Sequence, residues 1–171
     1  NDVIINALQH ESYDIKVSSV STASPRTELD SHANMAVLGK HAFIFESSGR
    51  TCSVKPFADE LGMISKVPIV DGAIAYDCPF DGQVYILLLH NALYIPSMEN
   101  NLIPPFIMRE AGLTVNDVPR IHARTKELNN ETHCIVSPGD GDNVRMKIPL
   151  KLDGIFSYFE TRRLTEEEIS Q

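Results

Sequence analysis

Apolar positions in this chain recur at short range and mostly with period two, the spacing of half-buried strands rather than of helices. Tyr13 to Val20 alternates loosely, Arg26 to Leu29 is a short extended run, and Ala42 to Phe45 and Thr51 to Lys55 are apolar stretches separated by Ser-Ser-Gly. The clearest unit is Lys66 to Asp77 followed by Gln83 to Ile95, which predicts a long hairpin. Between these segments lies Asp77-Cys78-Pro79-Phe80-Asp81-Gly82, where Pro and Asp-Gly supply turn chemistry. After Pro96 the pattern changes. Pro104 and Pro105 suit a first helical turn, Phe106 to Glu110 continue it, and Gly112 stops it. Further strands are predicted at His133 to Val136, Val144 to Leu152 and Ile155 to Phe159, with Gly-Asp-Gly-Asp at 139–142 as a turn and polar 123–131 as a surface loop. Thr165-Glu166-Glu167-Glu168 fits a capping box that opens a short terminal helix. With no internal repeat, the pattern describes one mainly β domain carrying a short helix after the Leu-Tyr-Ile-Pro strand and a short C-terminal helix or tail.

Composition removes several function classes. A chain of 171 residues can bury a core without disulfides or metal, and 43% hydrophobic against 22% charged residues is globular. The longest apolar run, Val84 to Leu89, suits a buried strand and falls far short of the roughly 20 residues that cross a bilayer, so no membrane association is expected. A formal charge of -8 argues against direct nucleic-acid binding, which rests on clustered Lys and Arg. Cys52, Cys78 and Cys134 form an odd set, which fits reduced, buried thiols inside a cell. Together with the six histidines they form no CxxC, HxH or HExxH spacing, so neither metal nor cofactor is expected. The start at Asn1 without a signal segment reads as a piece cut from a longer product.

The candidate chemistry lies in Leu29-Asp30-Ser31-His32-Ala33-Asn34. A carboxylate at a strand end, followed by a hydroxyl and a small residue, suits an acid held at the floor of a cleft, its orientation fixed by the hydroxyl and nearby N–H groups. Read alone, Asp-Ser is more often an ordinary turn start. As a catalyst, a single Asp is insufficient. Water attack on a peptide needs one carboxylate to take a proton while a protonated neighbour polarises the carbonyl. A second Asp must come from a second copy of the chain, so the catalytic reading demands a symmetric homodimer.

About sixty residues further on stands Asn91-Ala92-Leu93-Tyr94-Ile95-Pro96-Ser97-Met98-Glu99-Asn100-Asn101-Leu102-Ile103. This segment, coupled with Thr27-Glu28-Leu29-Asp30-Ser31-His32-Ala33-Asn34, resembles the retropepsin-like aspartic protease region of Ty1/copia-type retrotransposon Gag-Pol polyproteins. That family shows Leu-Asp-Ser-Gly-Ala, then a Val-Leu-Tyr-Val-Pro strand and an Asn-Leu-Leu-Ser segment. The resemblance is strongest over 13–113. It implies a closed β domain of retropepsin type over 13–160, between an N-terminal extension at 1–12 and a C-terminal tail or linker at 161–171. It implies a homodimer with Asp30 as catalytic acid/base, Ser31 bracing the two loops across the axis, and His32 and Ala33 supporting the site. Leu102 to Ile107 would pack behind the catalytic loop. A flap between about Gly49 and Asp71, bending at Gly62 and Gly72, would bring Phe57, Leu61 and Met63 over the substrate. The implied substrate is the element's own polyprotein, cleaved in the cytoplasm within a virus-like particle. His32 stands where the family usually has Gly, so two alternatives accompany the peptidase: a catalytically impaired dimerisation or binding module, and a structural cytosolic β-domain.

Overall fold

The computed structural model of the chain describes residues 2–6, 15–17, 25–31, 33–56, 64–117, 133–139, 141, 143–154 and 156–170. In order, its elements are β1 (Asp2–Asn6), β2 (Ile15–Val17), β3 (Arg26–Leu29), β4 (Val37–Leu38), β5 (Phe43–Pro56), β6 (Ile64–Asp77), β7 (Val84–Tyr94), β8 (Asn101–Ile103) and α1 (Pro105–Glu110). There follow β9 (Thr114–Asp117), β10 (His133–Pro138), β11 (Val144–Pro149), β12 (Lys151–Asp153), β13 (Phe156–Glu160) and α2 (Glu166–Ile169). The fold is mainly β. One sheet of ten strands runs β12-β13-β3-β8-β4-β7-β6-β5-β2, with β1 joined to β7, and a second sheet of three runs β11-β10-β9. Among the described residues the large sheet is open: its end strands β12 and β2 do not pair with each other, and the closed domain expected from sequence is not formed as a barrel.

The predicted long hairpin is β6–β7, paired from Ile69↔Leu93 to Asp77↔Val84. Its turn uses the residues that the sequence offered: Gly82 adopts φ +70°, the Gly82 N–H donates to the Cys78 carbonyl at 3.0 Å, and the Asp81 carboxylate accepts from Gln83 N–H and Tyr85 Oη–H. The alternation along β7 buries Tyr85, Leu87 and Leu89. These join Leu29, Ile74 and Phe159 with Ile135, Met146 and Ile148 of the small sheet in one core. A second cluster, including Met35, Val37, Val54, Ile69, Leu93 and Leu102, packs elsewhere on β4 to β8. Helix α1 also forms where expected, with Pro105 in its first turn and Gly112 at φ +93° just past its end.

Other elements depart from the sequence reading. The two stretches divided at Ser-Ser-Gly form a single strand, β5, because Gly49 at φ +77° sits in a bulge between Ser47 and Thr51 instead of reversing the chain. Val144 to Leu152 breaks at Leu150, where the chain passes from the small sheet into β12 of the large one. Within the expected N-terminal extension at 1–12, Asp2–Asn6 lies parallel to β7, from Asp2↔Ile86 to Asn6↔His90. The segment read as a tail is also anchored. Arg162 exchanges backbone hydrogen bonds with Ala75, and its guanidinium donates to Asp77 and Glu168. Thr161 and Leu164 are buried, and Thr165 and Glu168 complete the expected capping box of α2. The predicted strand over Tyr13 to Val20 is described only at β2, and the loop at 123–131 lies outside the described residues.

One buried polar contact ties the two sheets together. His133 of β10 places Nδ1 3.0 Å from the Leu150 carbonyl and Nε2 2.8 Å from Ser157 Oγ of β13. A carbonyl only accepts, so Nδ1 carries the proton and Nε2 of the neutral ring accepts from the Ser157 hydroxyl. Burial pushes this imidazole below its ordinary 6.5, against the opposing hydrogen bond to Leu150 and the charge of Asp117. The unfolded chain then binds the proton first, so the stability that this group contributes is complete above pH 6.5 and is lost as pH falls toward the lowered folded value. Urea unfolding of the parent and of His133→Gln at about pH 7.5 and about pH 5.5 should show the parent's advantage shrinking in acid, with a slope of at most about 1.4 kcal/mol per pH unit. A constant difference would contradict this.

Candidate active site

The site residues are set by β3 and the turn that follows it. Strand alternation along β3 puts Thr27 and Leu29 on one side and Arg26 and Glu28 on the other, and Asp30 is the first residue past its end. Leu29 enters the main core. The Thr27 hydroxyl pairs with Thr161 Oγ1 at 2.8 Å and accepts from Asn101 Nδ2 at 3.2 Å. Asn101 Oδ1 in turn accepts from the Gly39 N–H at 2.8 Å. Gly39 is needed there: a Cβ would lie 2.5 Å from the Met98 carbonyl oxygen, a backbone atom with little freedom to retreat.

These contacts hold β8 between β3 and β4, parallel to the first and antiparallel to the second. The register is Thr27↔Asn101, Glu28↔Leu102 and Leu29↔Ile103, so the two motifs far apart in sequence run side by side. The Asp30 N–H extends that pairing by donating to the Ile103 carbonyl at 3.2 Å. The Ala33 N–H closes the turn on the Asp30 carbonyl at 3.2 Å. Asp30 is 5% exposed and Ala33 is buried, whereas Ser31 stands exposed on the turn. His32 lies outside the described residues. The structure therefore brings Asp30, Ser31 and Ala33 into one tight turn whose acid has its backbone fixed at both ends.

The region expected to supply a flap is the hairpin β5–β6, whose pairs run from Phe43↔Ala73 outward to Val54↔Ile64. Phe57, Leu61, Gly62 and Met63, which fall between β5 and β6 in sequence, lie outside the described residues. Gly72, expected to bend, serves packing instead. It is buried, its φ lies outside the left-handed region, and a Cβ there would meet Leu38 Cδ1 at 2.5 Å. Its small size admits Leu38 and Ile44 to the core.

Sequence reasoning passed over the polar face that leads up to Asp30. Arg26 and Glu28 are buried, with side chains only 5% and 1% exposed. Arg26 donates to Asp153 at 3.0 Å and stacks 4.3 Å from the Tyr158 ring centroid. Glu28 Oε1 accepts from Asn100 Nδ2 at 3.2 Å. Burial pushes the Glu28 carboxyl above the usual range, the Arg26 charge and the Asn100 hydrogen bond oppose that rise, and the charges of Asp30 and Asp153 add to it. The signal was present as Arg-x-Glu-x-Asp, three ionisable residues at period two in a strand whose other positions are Thr and Leu.

Among the described residues no three His, Cys, Asp or Glu side chains gather as a metal site, and Cys52, Cys78 and Cys134 are buried and in no disulfide. No helix among the described residues is long and apolar enough to cross a membrane. Comparison with known proteins finds no matching family model, no matching curated sequence and no matching solved structure. The functional reading therefore rests on the motifs and on the geometry around Asp30.

Proposed function

We propose that this chain is a retropepsin-like aspartic endopeptidase of a Ty1/copia-type retrotransposon polyprotein, active as a homodimer in which each copy contributes Asp30. The observation that carries this reading is the side-by-side pairing of β3 with β8, which joins Leu-Asp-Ser to Asn-Asn-Leu-Ile and fixes the Asp30 N–H on Ile103. That is the support behind the catalytic loop which the resemblance implies. In the dimer, the two carboxylates lie too close for both to ionise and hold one proton between them. The ionised Asp30 takes a proton from water as the water oxygen bonds to the scissile carbonyl carbon. The protonated Asp30 of the other copy gives its proton to the carbonyl oxygen. Collapse of the tetrahedral intermediate breaks the C–N bond as the departing amine takes the proton that the first Asp30 removed from water, and the second Asp30 recovers its proton from the intermediate's hydroxyl as the carbonyl reforms. The β5–β6 hairpin is the flap that excludes water from this step.

Incubation of the parent and of Asp30→Asn with a fragment of the polyprotein tests the proposal. Cleavage by the parent and none by the variant is the expected result, and equal cleavage by both would remove Asp30 from the mechanism. A second reading is favoured by one feature, His32 in place of the family's glycine: a dimerising module with impaired catalysis. A silent parent together with an active His32→Gly variant would establish it.

A further inference from the structure

We infer that β5 and β6 are hinged where three β-bulges meet around Asp71, and that their outer parts, 51–56 and 64–68, lift as a unit while the rest of the domain stays folded. The opening stands by itself, and only its consequence for Asp30 rests on the proposed peptidase.

At Asp71, strand β6 is one residue short against both neighbours. Toward β5 the pairing steps from Ile44↔Gly72 to Glu46↔Asp71 and leaves Phe45 over. Toward β7 it steps from Gly72↔Leu89 to Val70↔Ala92, so His90 and Asn91 both oppose Asp71, with Asn91 at φ +57°. Further out, Ser48, Gly49 and Arg50 stand opposite Ile69 alone. Each insertion interrupts the ladder and bends its strand, and here they adjoin.

Side chains stand in for the interrupted ladder. Asp71 Oδ1 accepts from the Asn91 N–H at 2.9 Å, and Oδ2 lies 3.2 Å from His90 Nδ1. Arg50 Nη2 donates to Asn91 Oδ1 at 3.2 Å, Ser48 Oγ donates to the Ile69 carbonyl at 2.7 Å, and the Phe45 and His90 rings meet edge to face at 6.3 Å. The extra residues of all three bulges thus hold one another around one carboxylate. Phe45, Ser48 and Arg50 are exposed, and solvent keeps such polar contacts weak.

Beyond the bulges the pairing of β6 with β7 ends at Ile69↔Leu93. The outer parts, with β2 alongside Val54 to Pro56, rest instead on a small apolar seat. There Cys52, Val54 and Val67 cluster with Met35, Val37 and Leu102, apart from the main core. A unit with its own small seat and an interrupted ladder opens at lower cost than the whole domain. Met35 and Val37 follow the Asp30 turn, so when this arm acts as the flap, lifting it uncovers the chain that leaves the catalytic turn.

Cys52 reports the opening, because it is buried in the seat, whereas Cys78 lies in the main core and Cys134 is buried in β10. Iodoacetamide labelling of the native full chain is followed at each thiol by peptide mass spectrometry, and each rate is divided by that of the same thiol in urea-unfolded protein. Cys52 should be labelled roughly tenfold or more faster than the other two, as a sub-global opening requires. Asp71→Ala should raise the Cys52 rate alone by about two- to tenfold, the worth of a net hydrogen bond. Asp71→Asn keeps an acceptor for the Asn91 N–H and should stay nearer the parent. One common rate for the three thiols of the parent, a parallel rise of all three in Asp71→Ala, or an unmoved Cys52 rate would each overturn the hinge. Full cleavage by Asp30→Asn would instead remove the peptidase reading and leave these rates as they are.

Discussion

Asp30→Asn should lower the rate of peptide cleavage by a factor on the order of 10³ or more, the scale of general acid–base catalysis by a positioned side chain. The substitution preserves size, and the backbone hydrogen bonds that hold the residue, Asp30 N–H to Ile103 and Ala33 N–H to the Asp30 carbonyl, do not involve the side chain. Circular dichroism and the urea midpoint of the variant, measured alongside, separate loss of chemistry from loss of fold. An amide can neither take the proton from water nor hold the shared one. The proposed two-chain site carries a sharper consequence. When parent is mixed with roughly a tenfold excess of Asp30→Asn and the subunits exchange, about one tenth of the parent chains remain in parent dimers, so activity per parent chain should fall about tenfold. A site built within one chain would keep its full activity under dilution by the variant, and that result would end the dimer reading.

Phe159→Ala carries the largest expected effect on stability. Phe159 is 2% exposed and meets Tyr76 edge to face, with centroids 5.8 Å apart and an interplanar angle of 90°. Truncation of a buried phenylalanine destabilises by about 3–5 kcal/mol, from lost transfer energy and the cavity left behind. Against a total stability of about 5–15 kcal/mol, that brings the domain close to unfolding at ordinary temperature. Its melting temperature should drop by about 6–20 °C. Because Phe159 pairs in register with Thr27 of β3, loosening β13 also loosens the strand that ends at Asp30. Activity should be lost at a lower temperature than in the parent, in step with unfolding. A change in the urea midpoint worth less than about 1 kcal/mol would show that the core refills the space.

Much of the fold and part of the site were legible in sequence because their causes are local. The β6–β7 hairpin follows from two alternating segments and an Asp-Gly turn whose contacts all fall within a few residues. Helix α1 follows from Pro105 and Gly112, and the α2 capping box from Thr165 and Glu168. Asp30 was singled out because a carboxylate after an extended run and before a hydroxyl is a local pattern. The polar face at Arg26 and Glu28 was missed because its meaning is not local. A charged residue in a strand is ordinarily a solvent-facing one, and what buries these two are Asp153, Tyr158 and Asn100, distant in sequence.

The sequence by itself determined that this is a mainly β domain, where its main hairpin and helices lie, and that Asp30, followed by Ser31, His32 and Ala33, is the candidate for its chemistry. Periodicity and turn chemistry act over two to six residues and leave their mark in the order of the chain. Only the tertiary structure decided that Asp2–Asn6 joins β7, that Gly49 makes a bulge, that Thr161 and Leu164 are packed into the domain, and that β8 runs beside β3. Strand pairing at long range depends on which edges and apolar faces meet once the chain has collapsed, and no single segment encodes its partner. The environment of Asp30 belongs to this second kind, since the carbonyl that fixes it comes from Ile103 and the buried carboxyl beside it owes its burial to strands from the far end of the chain.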